Sequence, residues 1–228
     1  MSTVNGGWRG PNIVKDGLVL YLDAGSPNSY YDKSSTTWKD ISGGGKIATL
    51  INGPTYNTSS GGSITFDGSN DYVNLTVATN GDTTYTIWFK ISVNNDNRRL
   101  FDAATPNFRN LSIGYAGSGA NNVLGGYDGT NQPLTTASFS DGLWHYAAVV
   151  MKTNDYKIYV DGQNQTLTWN LGTTGNWINN NVNVNYIGST GASSFFQGNI
   201  AQTQIYNRAL SASEVLQNFN ATRARFGV

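Results

Sequence analysis

Residues Asp141 to Gly162, DGLWHYAAVVMKTNDYKIYVDG, decide the fold. From His145 to Met151 the run is almost unbroken apolar, as in a strand buried between two sheets. Tyr156, Ile158 and Val160 instead alternate with Lys157, Tyr159 and Asp161 at the two-residue period of a strand. Lys152 to Asp155 connects them, so the stretch predicts a core hairpin. Asp161-Gly162 accepts positive φ and turns the chain into its next strand. A hairpin this apolar is not stable alone in water, and the rest of the chain has to supply a facing sheet.

Further strands read on either side. Gly17 to Asp23 is a first strand, with Leu18, Leu20 and Leu22 on one face and Val19 and Tyr21 on the other. Ile64, Phe66, Tyr72, Val73 and Leu75 mark two strands around the turn Asp67 to Asp71, where Asp and Asn beside Gly bond their own backbone before they bind anything else. Tyr85 to Ile91 is another core strand, and Leu111 to Tyr115 pairs with Val123 to Tyr127. Val184 to Ile187 precedes the last strand, within Phe196 to Tyr206, which should lie beside the first. In it Ile200, Gln202, Gln204 and Ile205 signal a bulge or a shift of the buried face. Ser211-Ala212-Ser213-Glu214 is a capping box that opens a short helix, residues 211–220, with Val215, Leu216 and Phe219 on one side.

The pairing of DGLWHYAAVV with YVDG resembles the laminin-G-like branch of the concanavalin A-like lectin/glucanase superfamily. So do GLVLYLDAG (Gly17 to Gly25), GGSITFDGSNDYVNL (Gly61 to Leu75) and FFQGNIAQTQIYNRALSASEV (Phe195 to Val215). The resemblance implies an all-β fold, a two-sheet antiparallel jelly-roll sandwich with one short C-terminal helix. The opening PNIVKDGLVLYLDAG and the ending NRALSASEVLQNFNATRARFG resemble versions found in virion proteins of tailed bacteriophages. That likeness implies a virion structural or decoration protein, made in the host cytoplasm, with other virion proteins or further copies of itself as partners; the alternative is a free-standing carbohydrate-binding lectin module, assisted by calcium if a site for it is present.

Composition narrows the partners. Charged residues are 12% of the 228 and the formal net charge is zero, so neither nucleic-acid phosphates nor anionic membranes have an electrostatic reason to bind. Uncharged polar partners remain, above all a cell-surface glycan or another protein. There is no cysteine, hence no disulfide or thiolate metal site. MSTVNGGWRGPN lacks the apolar segment of a signal peptide, and no apolar run reaches membrane-spanning length. Residues 1–12 read as a flexible arm and 13–228 as one laminin-G-like domain. The arm either tucks Trp8 onto the sheet or docks on a neighbouring subunit through Trp8 and Arg9, with Arg223 and Arg225 as interface candidates at the other terminus.

Aromatic rings beside amides are the chemistry that holds sugars. Tyr115, Tyr127, Asp128, Asn131 and Trp177 are the carbohydrate-binding candidates. Tyr30, Tyr31 and Trp38 either offer further platforms or cover the edge of the core. The Asn95-Asp96-Asn97 cluster lies where the resembled lectins often place calcium ligands, so Asp96 with Asp128 is the metal candidate; two carboxylates would hold calcium weakly. Catalysis is not expected. Glycosidases usually need two spaced carboxyls, and the chain has one glutamate, Glu214, already explained by the capping box. None of the aspartates forms the spaced set of the superfamily's glucanases, and the single histidine, His145, reads as structural. The five Asn-x-Ser/Thr sequons, at Asn57, Asn74, Asn110, Asn164 and Asn220, read as chance in an Asn- and Thr-rich chain.

Overall fold

A computed structural model describes residues 12–91, 97–103, 109–114, 122–173 and 182–228. Its strands are β1 (Leu18–Asp23), β2 (Thr37–Lys39), β3 (Ile47–Ile51), β4 (Thr55–Asn57), β5 (Ser63–Asp67) and β6 (Tyr72–Thr79). Next come β7 (Thr83–Lys90), β8 (Arg98–Ala103), β9 (Arg109–Ile113), β10 (Val123–Tyr127), β11 (Gln132–Ser138) and β12 (Trp144–Lys152). The last are β13 (Asp155–Val160), β14 (Gln163–Asn164), β15 (Leu167–Leu171), β16 (Val182–Ile187) and β17 (Gln197–Tyr206), followed by the helix α1 (Ala212–Thr222). Among the described residues they form an eight-stranded sheet in the order β14-β13-β12-β7-β17-β5-β4, with β1 also on β17. The second sheet has nine strands, in the order β15-β11-β10-β9-β8-β16-β6-β3-β2. The described ladders are antiparallel, and the two sheets stack as a jelly-roll sandwich.

The hairpin that decides the fold is β12 and β13, paired from Ala147↔Val160 to Lys152↔Asp155. Its turn is tighter than the sequence suggests: only Thr153 and Asn154 lie between the strands, with Asn154 at φ 63°. Ala147, Val149 and Met151 face the inter-sheet core. The reason for the unbroken apolar run differs from the expectation. Trp144, Tyr146, Ala148 and Val150 point to the other side of the sheet, where they are covered by α1 and the C-terminal segment and not by a second sheet.

Trp88 organises that outer layer. Its ring stacks on Phe226 at 4.0 Å and on Phe219 at 5.8 Å, and its indole N–H donates to Thr222 Oγ1 at 2.8 Å. Ser211 caps α1 in the expected box with Glu214, but the helix begins one residue later and runs to Thr222, so that Phe219 and Thr222 both reach Trp88. Asn218 joins the termini: its Oδ1 accepts from Val14 N at 2.8 Å, and its amide donates to Tyr206 Oη at 3.0 Å.

Bulges reset the faces of two strands. In β17 the register shifts between Ile200 and Gln202, so Ile200 and Ile205 both reach the core, as their spacing suggested. In β1 a shift between Leu18 and Leu20 corrects the expected single face. Leu20 and Leu22 enter the inter-sheet core while Leu18 packs in the outer layer, because the bulge turns one residue across the sheet. Tyr30 and Trp38 are buried in the core, whereas Tyr31 is 82% exposed. Asp67 and Asp71 form the expected self-bonded turn, Asp67 Oδ1 accepting from Ser69 N and Asp71 Oδ2 from Asp67 N.

His145 closes one end of the sandwich. Its ring lies 5.3 Å from Phe139 and 6.0 Å from Phe89, with Nδ1 2.8 Å from Asp161 Oδ2 and Nε2 3.2 Å from Asp141 Oδ1. Burial lowers its pKa, but the hydrogen bonds and charges of Asp161 and Asp141 outweigh it and the net direction is upward. The stabilisation from the charged ring is therefore complete below the unfolded value of 6.5 and is lost as pH rises through the higher folded value. Replacing His145 with Gln should cost roughly 1–2 kcal/mol at pH 5.5 and less at pH 9. Urea unfolding at the two pH values checks this, and an equal cost at both would show that the charge plays no part.

Candidate functional site

Directly opposed residues on antiparallel strands point to the same side of a sheet. Across the nine-stranded sheet, one row runs Leu50, Val73, Ile187, Phe101, Leu111 and Gly126, all buried on the core side. Gly126 is required there, since a Cβ would collide with the phenol of Tyr156 from β13. The adjacent row faces outward and is polar: Thr49, Asn74, Tyr186, Asp102, Asn110 and Tyr127.

A bulge builds the centre of this face. Residues three apart on a regular strand point to opposite sides, yet Arg99 and Asp102 share one. The register shift between Arg99 and Phe101 inserts Leu100 and brings both outward. Arg99 Nε donates to Asp102 Oδ2 at 3.1 Å, and a terminal guanidinium nitrogen donates to Asn97 Oδ1 at 2.8 Å. Asp102 and Asn110 are each 4% exposed, and neighbouring Ser112, opposite Arg99, is fully buried. They form a polar floor. Around it lies a rim of Tyr72, Tyr186, Phe195 and Tyr127, all partly exposed, with exposed Asn74 between. Tyr72 meets Tyr186 edge-on at 5.8 Å and Phe195 at 6.4 Å, an aromatic group to which the apolar face of a ring can apply itself while Asn74 and Arg99 meet its hydroxyls.

Of the sugar-site candidates read from sequence, Tyr127 stands at the end of the outward row, and its phenol donates to Gly129 O at 2.8 Å. Asp128 and Asn131 share the following turn. Asp128 Oδ1 accepts from Thr130 N at 2.9 Å and Asn131 N at 2.6 Å, and Oδ2 from Asn131 Nδ2 at 2.9 Å. Both are turn formers beneath the surface, at 8% and 0% exposure. Tyr115, Trp177, Asp96, Trp8 and Arg9 lie outside the described residues. Among those described, no three His, Cys, Asp or Glu side chains come together as metal ligands. The sequence reading missed Asp102, Asn110, Arg99, Tyr72 and Tyr186. The available signal was an aspartate inside an otherwise apolar run, LFDA, which a strand tolerates only with a polar partner.

The two interface arginines differ. Arg223 is exposed, its guanidinium 5.6 Å from the Phe219 ring. Arg225 is engaged within the fold: it donates to Asp23 Oδ1 at 2.6 Å, to Ser60 O at 2.8 Å and to Gly62 O. Gly25 makes room for it, since a Cβ there would strike both this guanidinium and the Gly61 carbonyl.

The chain belongs to the concanavalin A-like lectin/glucanases superfamily, whose laminin-G sequence profile matches residues 67–216. No curated protein matches the chain. Among solved structures it is similar to domain 4 of AbnA, an extracellular arabinanase of Geobacillus stearothermophilus, solved with arabinotriose. That likeness has TM-score 0.63 and 19% identity, over 89% of this chain and 98% of that one. It is also similar to Trypanosoma rangeli sialidase (0.61, 18%, 92% of this chain) and to the binding domain of Paraclostridial Mosquitocidal Protein 1 (0.58, 16%, 91% of this chain). The chain spans 34% of the sialidase and 52% of the mosquitocidal structure, so the fold is shared with part of a sialidase and part of a binding domain. No helix among the described residues is long and apolar enough to cross a membrane.

Asp102 gives the site a measurable signature. Burial pushes its carboxyl from 3.8 up to about 6, and Arg99 only partly pulls it back. The folded state thus holds a proton that the unfolded state releases, and stability falls as pH rises from about 4 to about 6. A gap of about two pH units corresponds to roughly 3 kcal/mol. Asp102→Asn, which keeps an acceptor for Arg99, should flatten that slope and be the more stable protein at pH 7. Parallel pH–stability curves for the variant and the parent would contradict the assignment.

Proposed function

We propose that this chain is a non-catalytic carbohydrate-binding module that serves as a virion structural or decoration protein of a tailed bacteriophage, adhering to host-surface glycans. The observation that carries the binding reading is the outward face of the nine-stranded sheet, where aromatic rings and an amide surround a hydrogen-bonded polar floor. A chain of zero net charge presenting rings and amides suits neutral saccharides, which offer C–H faces to π clouds and hydroxyls to hydrogen bonds. The arabinotriose complex of the similar arabinanase domain supports the same ligand class.

A non-catalytic role follows from the carboxylates. Among the described residues the outward row carries a single one, Asp102, held by Arg99, where glycoside cleavage usually needs a pair across the bond. Glu214 is held by Ser211 and Arg208. The virion setting rests on the likeness of the chain's opening and ending to phage proteins, and many copies on a particle would turn weak single sites into useful avidity.

The test is a panel of neutral oligosaccharides, including arabino-oligosaccharides, presented to the purified chain. Binding without release of reducing ends is expected, and Tyr186→Ala should weaken it about tenfold, equivalent to about 1.4 kcal/mol. Saccharide cleavage, or full binding by the Tyr186 variant, would refute the proposal. Mass spectrometry of purified particles tests the virion setting separately.

A further inference from the structure

The eight-stranded sheet carries a cleft of its own, on the other sheet from the outward row just described. It opens where β7 ends and β17 begins, has a volume of about 410 Å³, and is lined by Thr65, Asp67, Lys90, Gln197, Gly198 and Asn199 among others. That volume lies within the range of small-molecule sites. Gly198 lets the two strands approach, since a Cβ there would strike the Lys90 carbonyl.

The side chains are set in place from different directions. Asn199 donates to Thr65 Oγ1 at 2.7 Å, which fixes its amide with the carbonyl oxygen left over as an acceptor. The Gln197 stem lies over Gly68, where a Cβ would come within 2.7 Å of it, so the amide is held against the Asp67 turn. Asp67 Oδ1 accepts from Ser69 N at 2.8 Å and Asn70 N at 3.3 Å, and the Ser69 amide in particular holds its carboxyl below the usual range, leaving it ionised at neutral pH. Lys90 stands in register between Trp144 and Asn199, and its side chain makes no hydrogen bond or ion pair among the described residues. An ammonium without a partner, lining a cleft of hydrogen-bonding groups, is available to an anion.

We infer that this cleft binds an acidic sugar unit, with Lys90 meeting the carboxylate and the side-chain oxygens of Asn199, Gln197 and Asp67 accepting hydrogen bonds from its hydroxyls. The chemistry is specific on both sides. A lone ammonium favours a carboxylate over a neutral group, and a fixed carboxylate and amide oxygens favour several hydroxyls over a simple anion. The site lies on the opposite sheet from the neutral-saccharide face and does not depend on it.

Titration of the isotope-labelled full chain with sodium glucuronate, glucose or sodium acetate, followed by side-chain amide and lysine ammonium NMR signals, separates the cases. Glucuronate at millimolar concentration should shift the Asn199, Gln197 and Lys90 signals and bind about tenfold more tightly than glucose or acetate. Lys90→Gln should reduce glucuronate to the level of glucose, while Tyr186→Ala leaves it unchanged. Equal binding of all three probes, shifts located elsewhere, or an undiminished response in the Lys90 variant would each overturn the inference. A Tyr186 variant that loses neutral oligosaccharides yet still takes glucuronate would show that the two sites stand or fall separately.

Discussion

The fold depends on burying the first sheet from both sides. Strands β7, β12 and β17 present apolar residues to the inter-sheet core and again to the outer layer, where Trp88, Trp144, Tyr146 and Tyr206 would be exposed without a cover. The C-terminal segment supplies that cover. Phe219 and Phe226 both stack on Trp88, and Asn218 ties the helix to Val14 and Tyr206. Arg225 then pins the end of the chain to Asp23 and to the carbonyls of Ser60 and Gly62. Each fully buried aromatic side chain contributes roughly 2–3 kcal/mol.

With one sheet largely committed to the helix, the face on which the proposed binding site lies belongs to the other. There the alternation of strand residues places tyrosines and amides outward, while a bulge at Leu100 gathers Arg99 and Asp102 into one ion pair. The arrangement offers stacking surfaces and hydrogen bonds, which is the chemistry that the proposed neutral-sugar site requires.

Much of the architecture was legible in the sequence. The period-two pattern located the main strands, the Asp161-Gly162 turn appears with Asp161 at φ 50°, and the capping box at Ser211 holds. What escaped was set by tertiary context. The run from Trp144 to Val150 looks the same whether sheet or helix covers its second face, and the bulge in β1 that moves Leu18 leaves no local mark. Strand β11, QPLTTAS, begins beside a proline and ends in exposed polar residues, so its sequence reads as loop. The candidate site was legible only at its margin. Tyr127 could be named from its loop, but Asp102, Asn110 and Tyr186 lie on three different strands and meet only through cross-strand register. Asp128, by contrast, is consumed by its own turn.

The most direct measurement is the location of a bound neutral oligosaccharide, read from intermolecular nuclear Overhauser contacts between the sugar protons and the aromatic side chains. The account predicts contacts to the rings of Tyr72 and Tyr186 above the Asp102–Asn110 floor. A sugar seated instead over the C-terminal helix, or touching neither of those rings, would contradict it.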